Sequence, residues 1–223
     1  MKKIIGLLIV SFVGITTSFA GLFPSVSKPS SPDASMIVLQ FGIDDAGKLI
    51  GCANTSAFAW VPVVKDSDGN IIKFRVFNGG VDMTTIFYKE NLKAGEYTLE
   101  GFNHVYLDYG KLDAYRIEKG TKEAAKEAPY DNLPYDVVQF FALDEPVKLN
   151  LEPNKIMSFG NYGVKYKYKG GLAGTTDDRW MLVEDETKII LANSEDQSLL
   201  NYISSWATKK WRMWNAKNPA AKK

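Results

Sequence analysis

The sequence predicts a mainly β protein, an antiparallel β-sandwich followed by one C-terminal amphipathic α-helix. Three observations predict it. Apolar and polar residues alternate over many short runs, Asp-Gly, Asn-Gly and Gly-Gly signals separate those runs, and only the last stretch of chain changes to an apolar spacing of three and four.

In chain order, residues 1–20 read as a secretory signal peptide. Lys2 and Lys3 precede an apolar run from Ile4 to Ile15, and Ser18-Phe19-Ala20 places small residues at both positions that a signal peptidase reads. Cleavage is expected after Ala20. The run falls short of the roughly 20 apolar residues of a membrane-spanning helix. The expected location is therefore outside a bacterial cytosol: periplasm, cell surface or medium. Leu49-Ile50-Gly51-Cys52 spells a lipoprotein processing site. However, Asp44, Asp45 and Lys48 stand where an apolar segment would have to bring the cysteine to the membrane, so Cys52 is expected to carry no lipid anchor. A lone cysteine forms no intramolecular disulfide, and Cys52 reads as a small buried residue.

Residues 21–34, GLFPSVSKPSSPDA, are rich in Ser and Pro without periodicity and predict a flexible tether. The sandwich domain is expected over residues 35–193. Ile72, Phe74 and Val76 alternate with Lys73 and Arg75; Val147, Leu149 and Leu151 with Lys148 and Asn150; Val164, Tyr166 and Tyr168 with Lys165, Lys167 and Lys169. Successive strand residues face opposite sides, so these are half-buried strands. Strands are expected near 35–43, 57–65, 70–77, 81–88, 95–107, 136–143, 146–152, 155–168, 179–184 and 187–192. A charged insertion at 113–134, bearing Pro129 and Pro134, interrupts the series as a long surface excursion. Residues 194–215 predict the helix. Ser194 and Gln197 form a capping box, and Leu200, Ile203, Ala207, Trp211 and Trp214 make one face. Residues 216–223 are expected to be a disordered tail.

Charge narrows the partners. The chain has 27 basic and 26 acidic residues; losing residues 1–20 removes two lysines and no acid, leaving 25 against 26. Phosphate recognition needs a marked basic excess, so no nucleic-acid partner is expected.

The strand SMIVLQF, the hairpin VVKDSDGNIIKF, the segment LKAGEYTLEGF, the pair VKLNLEPNKIMSFGNYGVKY and the terminal helix together resemble exported bacterial β-sandwich proteins of prealbumin-like or immunoglobulin-like type. The resemblance spans about residues 35–205. It implies that LKAGEYTLEGF is a turn feeding a central strand and that LEPNKIMSFGNYGV carries the chain from one sheet to the other. It implies no catalytic residue.

Chemistry is sparse. The one histidine, His104, lies between Phe102 and Tyr106 on a shared face and reads as a packed residue rather than a general base. With one His and one Cys, a zinc site would have to lean on carboxylates, so no metal and no cofactor is expected. Asp66-Ser67-Asp68-Gly69-Asn70 has the alternating oxygens of a calcium loop, but Phe77 stands where the bidentate acid belongs, and the segment reads as a hairpin turn. Asp177-Asp178 reads as a solvated loop. Two binding candidates remain. Lys165, Lys167 and Lys169 form a cationic row that would attract an anionic lipid or polysaccharide, with core and solvent as the plainer account. Trp206, Trp211 and Trp214 with Lys209 and Lys210 would suit peripheral membrane or partner contact, with packing on the sandwich as the favoured reading. The expected function is an exported, non-catalytic envelope-associated binding or structural module. The alternatives are a hydrolase of envelope polysaccharide using a carboxylate pair, or a β-barrel carrier of an apolar ligand.

Overall fold

The computed structural model describes residues 26–45, 48–50, 58–78, 85–107, 135–167 and 182–193, with residues 203, 209 and 211. The signal peptide with Ala20, Cys52, the insertion at 113–134, Lys169, Asp177-Asp178, Trp206, Lys210, Trp214 and the tail at 216–223 lie outside the described residues, as does most of 194–215.

The described chain is mainly β and forms two sheets. Its strands are β1 (Ser35–Asp45), β2 (Lys48–Ile50), β3 (Phe58–Asp66), β4 (Arg75–Asn78), β5 (Thr85–Leu92), β6 (Gly95–Leu107), β7 (Tyr135–Leu151), β8 (Ile156–Lys165) and β9 (Lys188–Asn193). The larger sheet runs β4-β5-β1-β8-β9, with β2 paired to the end of β1; the smaller runs β3-β6-β7. Lys48-Leu49-Ile50, the start of the lipoprotein-like motif, is thus backbone of a short strand bonded to β1.

The pairing is not wholly antiparallel, which corrects the expected fold. β1 and β8 run parallel. The cause is in the connections: β5 to β6 and β7 to β8 both switch sheets, and the second, through Pro153-Asn154, delivers β8 beside β1 in the same direction. A strand so placed is buried on both faces and reads as a continuous apolar run, as SMIVLQF does. Met36, Ile37, Val38, Leu39 and Phe41 are all completely buried.

Two further expectations change. The strands near 136–143 and 146–152 are one strand, β7, whose register jumps between Gly101↔Ala142 and Leu99↔Val147, so Leu143 to Pro146 stand opposite Glu100 alone. Proline has no N–H for a ladder, and this bulge accommodates Pro146. Of the strand expected near 179–184, residues 179–181 lie outside the described residues; Leu182 forms a β-bridge, and a 3-10 turn follows at Glu184–Glu186.

One core joins the sheets. Phe41 of β1 packs on Trp60 of β3 and Phe102 of β6 at ring-centroid distances of 5.4 and 4.4 Å, and Phe102 on Tyr162 of β8 at 5.4 Å. A bulge at Phe159-Gly160, where Gly160 has φ 103°, resets β8 so that Phe159, Tyr162 and Val164 all enter this core.

The opposite face of the larger sheet is also covered. Met36, Val38, Phe77, Ile86, Tyr88 and Ile156 form a second apolar cluster with Val26, Ile203 and Trp211. Residues 26–34 fall in the stretch expected to be a tether, and here they are held: Ser27 N–H donates to Glu90 (3.0 Å), Ser30 N–H to Asn91 (2.7 Å), and Ser27 C=O accepts from the Trp211 indole (2.7 Å). Arg75 bonds Glu90 at 2.8 Å in the same buried spot. Burial alone would raise the Glu90 carboxyl, but the Ser27 and Arg75 donors outweigh it and hold it below the ordinary value.

Candidate functional site

The two sheets differ in width, and that mismatch creates a cleft. Among the described residues β7 ends the smaller sheet and β9 the larger one, and the two edges lie against each other. At one point a side chain bridges the gap. Gln139 accepts from Leu182 N–H at 2.8 Å and donates to Leu182 C=O at 3.0 Å, imitating a strand partner. Beyond it the edges part around a cavity of about 610 Å³ between Phe140 to Asp144 and Glu184 to Leu191.

The sequence builds this cleft by breaking its own alternation. Leu191 pairs with the buried Tyr162 and so faces inward, yet it is 46% exposed, because among the described residues no strand of the smaller sheet covers it. Ile190 beside it is 37% exposed and Phe140 on the facing strand 49%. The Phe140 ring lies over Gly101, where an added Cβ would come within 3.0 Å of it and 2.2 Å of Phe141 C=O. The missing side chain therefore gives the ring its seat.

The polar lining is unbalanced. Asp144, Glu184 and Asp185 contribute three carboxylates, and Lys188 one ammonium. The 3-10 turn presents two of the acids, and Thr187 fixes its end by donating from Oγ1 to Val183 C=O at 2.8 Å. Glu186 is occupied by Lys167, at 2.9 and 3.0 Å. A cleft lined by one dominant sign of charge attracts the opposite sign.

The residues singled out in the sequence lie elsewhere. His104 is 2% exposed and stacks on Trp60 at 5.1 Å; burial pushes its imidazole down to about 4. Trp60, His104 and Gln139 pair across the three strands, which puts them in one row on the inner face. The Asp66 carboxylate closes its own turn, accepting from Asp68 N–H (3.0 Å), Asn70 N–H (2.8 Å) and the Asn70 amide. The Asn70 amide, foremost among these donors, holds it below the ordinary carboxylate value. Among the described residues no group of three His, Cys, Asp or Glu is placed to hold a metal. Of the cationic row, Lys165 and Lys167 are exposed, with Lys167 in its ion pair, while Tyr162 is buried and its hydroxyl pushed up to about 12 by desolvation. Trp211 is completely buried and Lys209 exposed. The space between the sheets is filled by Phe41, Trp60, Phe102 and Tyr162.

Phe140, Ile190, Leu191 and the three acids went unnoticed in the sequence. A signal was there: Phe140-Phe141 and Ile189-Ile190-Leu191 are apolar on consecutive positions, which a strand with one solvated face would not be. No protein family, curated protein or solved structure matches this chain.

Proposed function

We propose that this chain is an exported, non-catalytic binding module of the cell envelope, a two-sheet sandwich of prealbumin-like type closed by a C-terminal helix, and that the β7–β9 cleft is its binding surface. The observation that carries the reading is that Leu191, inward-facing on β9, is left 46% exposed beside a bounded cleft. A cleft of about 610 Å³ is of the size that takes ligands, and its lining is more polar than apolar. Export is supported by Lys2, Lys3, the apolar run and Ser18-Phe19-Ala20. The helix is supported by the apolar spacing that includes Ile203 and Trp211, both buried on the larger sheet.

Fractionation of cells producing the protein and its Leu191→Lys variant tests both parts. Release of a shortened chain from the cytosol, retained in the envelope fraction only with Leu191 intact, is the expected result; a full-length cytosolic protein overturns the export half. One observation favours a second reading, hydrolysis of an envelope polysaccharide: Asp144 shares the cleft with Glu184 and Asp185. Release of reducing sugar from purified envelope polymer, abolished by Asp144→Asn, would establish it.

A further inference from the structure

We infer that the β7–β9 cleft takes an extended, basic polypeptide segment carrying apolar side chains, added as a strand along β9. This rests on the reading of the cleft as the binding surface and names its occupant.

The backbone sets the shape. β9 bonds β8 on one side, and among the described residues no strand pairs its other side. An unpaired edge presents alternating N–H and C=O groups that only another extended backbone matches along its whole length. The six residues of β9 span about 20 Å at ~3.3 Å per residue, enough for a short segment.

The side chains set the composition. Leu191 is inward-facing and uncovered, with Ile189 packed beside it against the core, so alternate side chains of an added strand would meet an apolar floor there. The same cleft is lined by Asp144, Glu184 and Asp185 against the single Lys188. Three carboxylates facing one ammonium favour lysine or arginine and repel an acidic segment. A neutral sugar would use neither the edge ladder nor this charge excess.

The test uses three short peptides, blocked at both ends and fluorescently labelled: KVKIKVK, its acidic counterpart EVEIEVE, and KVKPKVK, whose proline removes a ladder donor. Binding to the purified protein is followed by fluorescence anisotropy. The expected result is saturable one-to-one binding of KVKIKVK, at least about ten-fold tighter than of either other peptide, weakened by salt, and at least about ten-fold weaker in both Asp144→Lys and Leu191→Lys. Both positions lie at the cleft surface, and circular dichroism confirms that each variant is folded; Asp144→Asn or Leu191→Ser replaces the one that is not. Absence of saturable binding, equal binding of the acidic peptide, or undiminished binding by the folded variants overturns the inference. If KVKIKVK fails while Leu191→Lys still abolishes envelope retention, the peptide occupant falls and the cleft survives as the binding surface. If retention is also indifferent to Leu191, both fall.

Discussion

Burial keeps the His104 imidazole neutral to about pH 4, and this links its titration to folding. An unfolded imidazole takes up its proton near pH 6.5, so between about 6.5 and 4 the unfolded chain binds more protons and stability rises with pH. The contribution is complete above pH 6.5 and fades as pH falls to about 4, by at most roughly 3 kcal/mol. Urea unfolding across that window should show the decline, and His104→Gln should flatten it. The depressed Glu90 carboxyl acts lower, its stabilisation being lost as pH falls below its ordinary value of 4.5. The Arg75–Glu90 pair behaves as a unit, because both side chains are nearly inaccessible, 10% and 5% exposed. Arg75→Met alone strands a buried carboxylate and should cost about 3–5 kcal/mol, whereas the double variant with Glu90→Leu should cost less than the sum of the two single changes. Denaturant midpoints of the four proteins measure that coupling.

Strands were legible both where one face is wet, as in β6, and where both are dry, as in β1, expected at 35–43 and found at Ser35–Asp45. β6 emerges with its expected ends, since Lys93-Ala94-Gly95 marks the start and Gly95 adopts φ 153°. The expectation that it is central, and that the chain changes sheets after β7, agrees with the observed order. The parallel partner of β1 was not readable, because an all-apolar strand records its burial and nothing about the direction of its neighbour. The bulge at Leu143 to Pro146 reads in the sequence as a break between two strands for a similar reason: a turn signal says that pairing is interrupted, not that it ends. The cleft escaped because overhang is a property of two sheet widths, which no single strand encodes. Gly101 belongs to this scale, since its bare Cα lets β7 approach. Gly101→Ala should cost at least about 1–3 kcal/mol by driving Phe141 and the Phe140 ring away, read as a lower melting temperature. Trp211→Ala should cost about 3–5 kcal/mol, roughly 6–20 °C in melting temperature, by emptying the second cluster and releasing Ser27 C=O.

The molecule as a whole is tied together at distant points of its sequence. Trp211 meets Ser27, 184 positions away, and Ser35 Oγ donates to Glu152 C=O at 2.7 Å across 117 positions. Such separations slow folding, because a long loop must close before its contacts stabilise anything. Refolding from urea should take milliseconds to seconds, and a chain truncated after residue 154 should lack the cooperative transition of the full protein; stopped-flow fluorescence and urea titration of the two check this. If the chain is exported as proposed, the parallel marriage of β1 with β8 is an advantage. The first strand cannot settle between its neighbours until Ile156–Lys165 has joined it, so a precursor lacking that stretch stays limp enough to thread, and the sheet stiffens only once about three quarters of the chain is present.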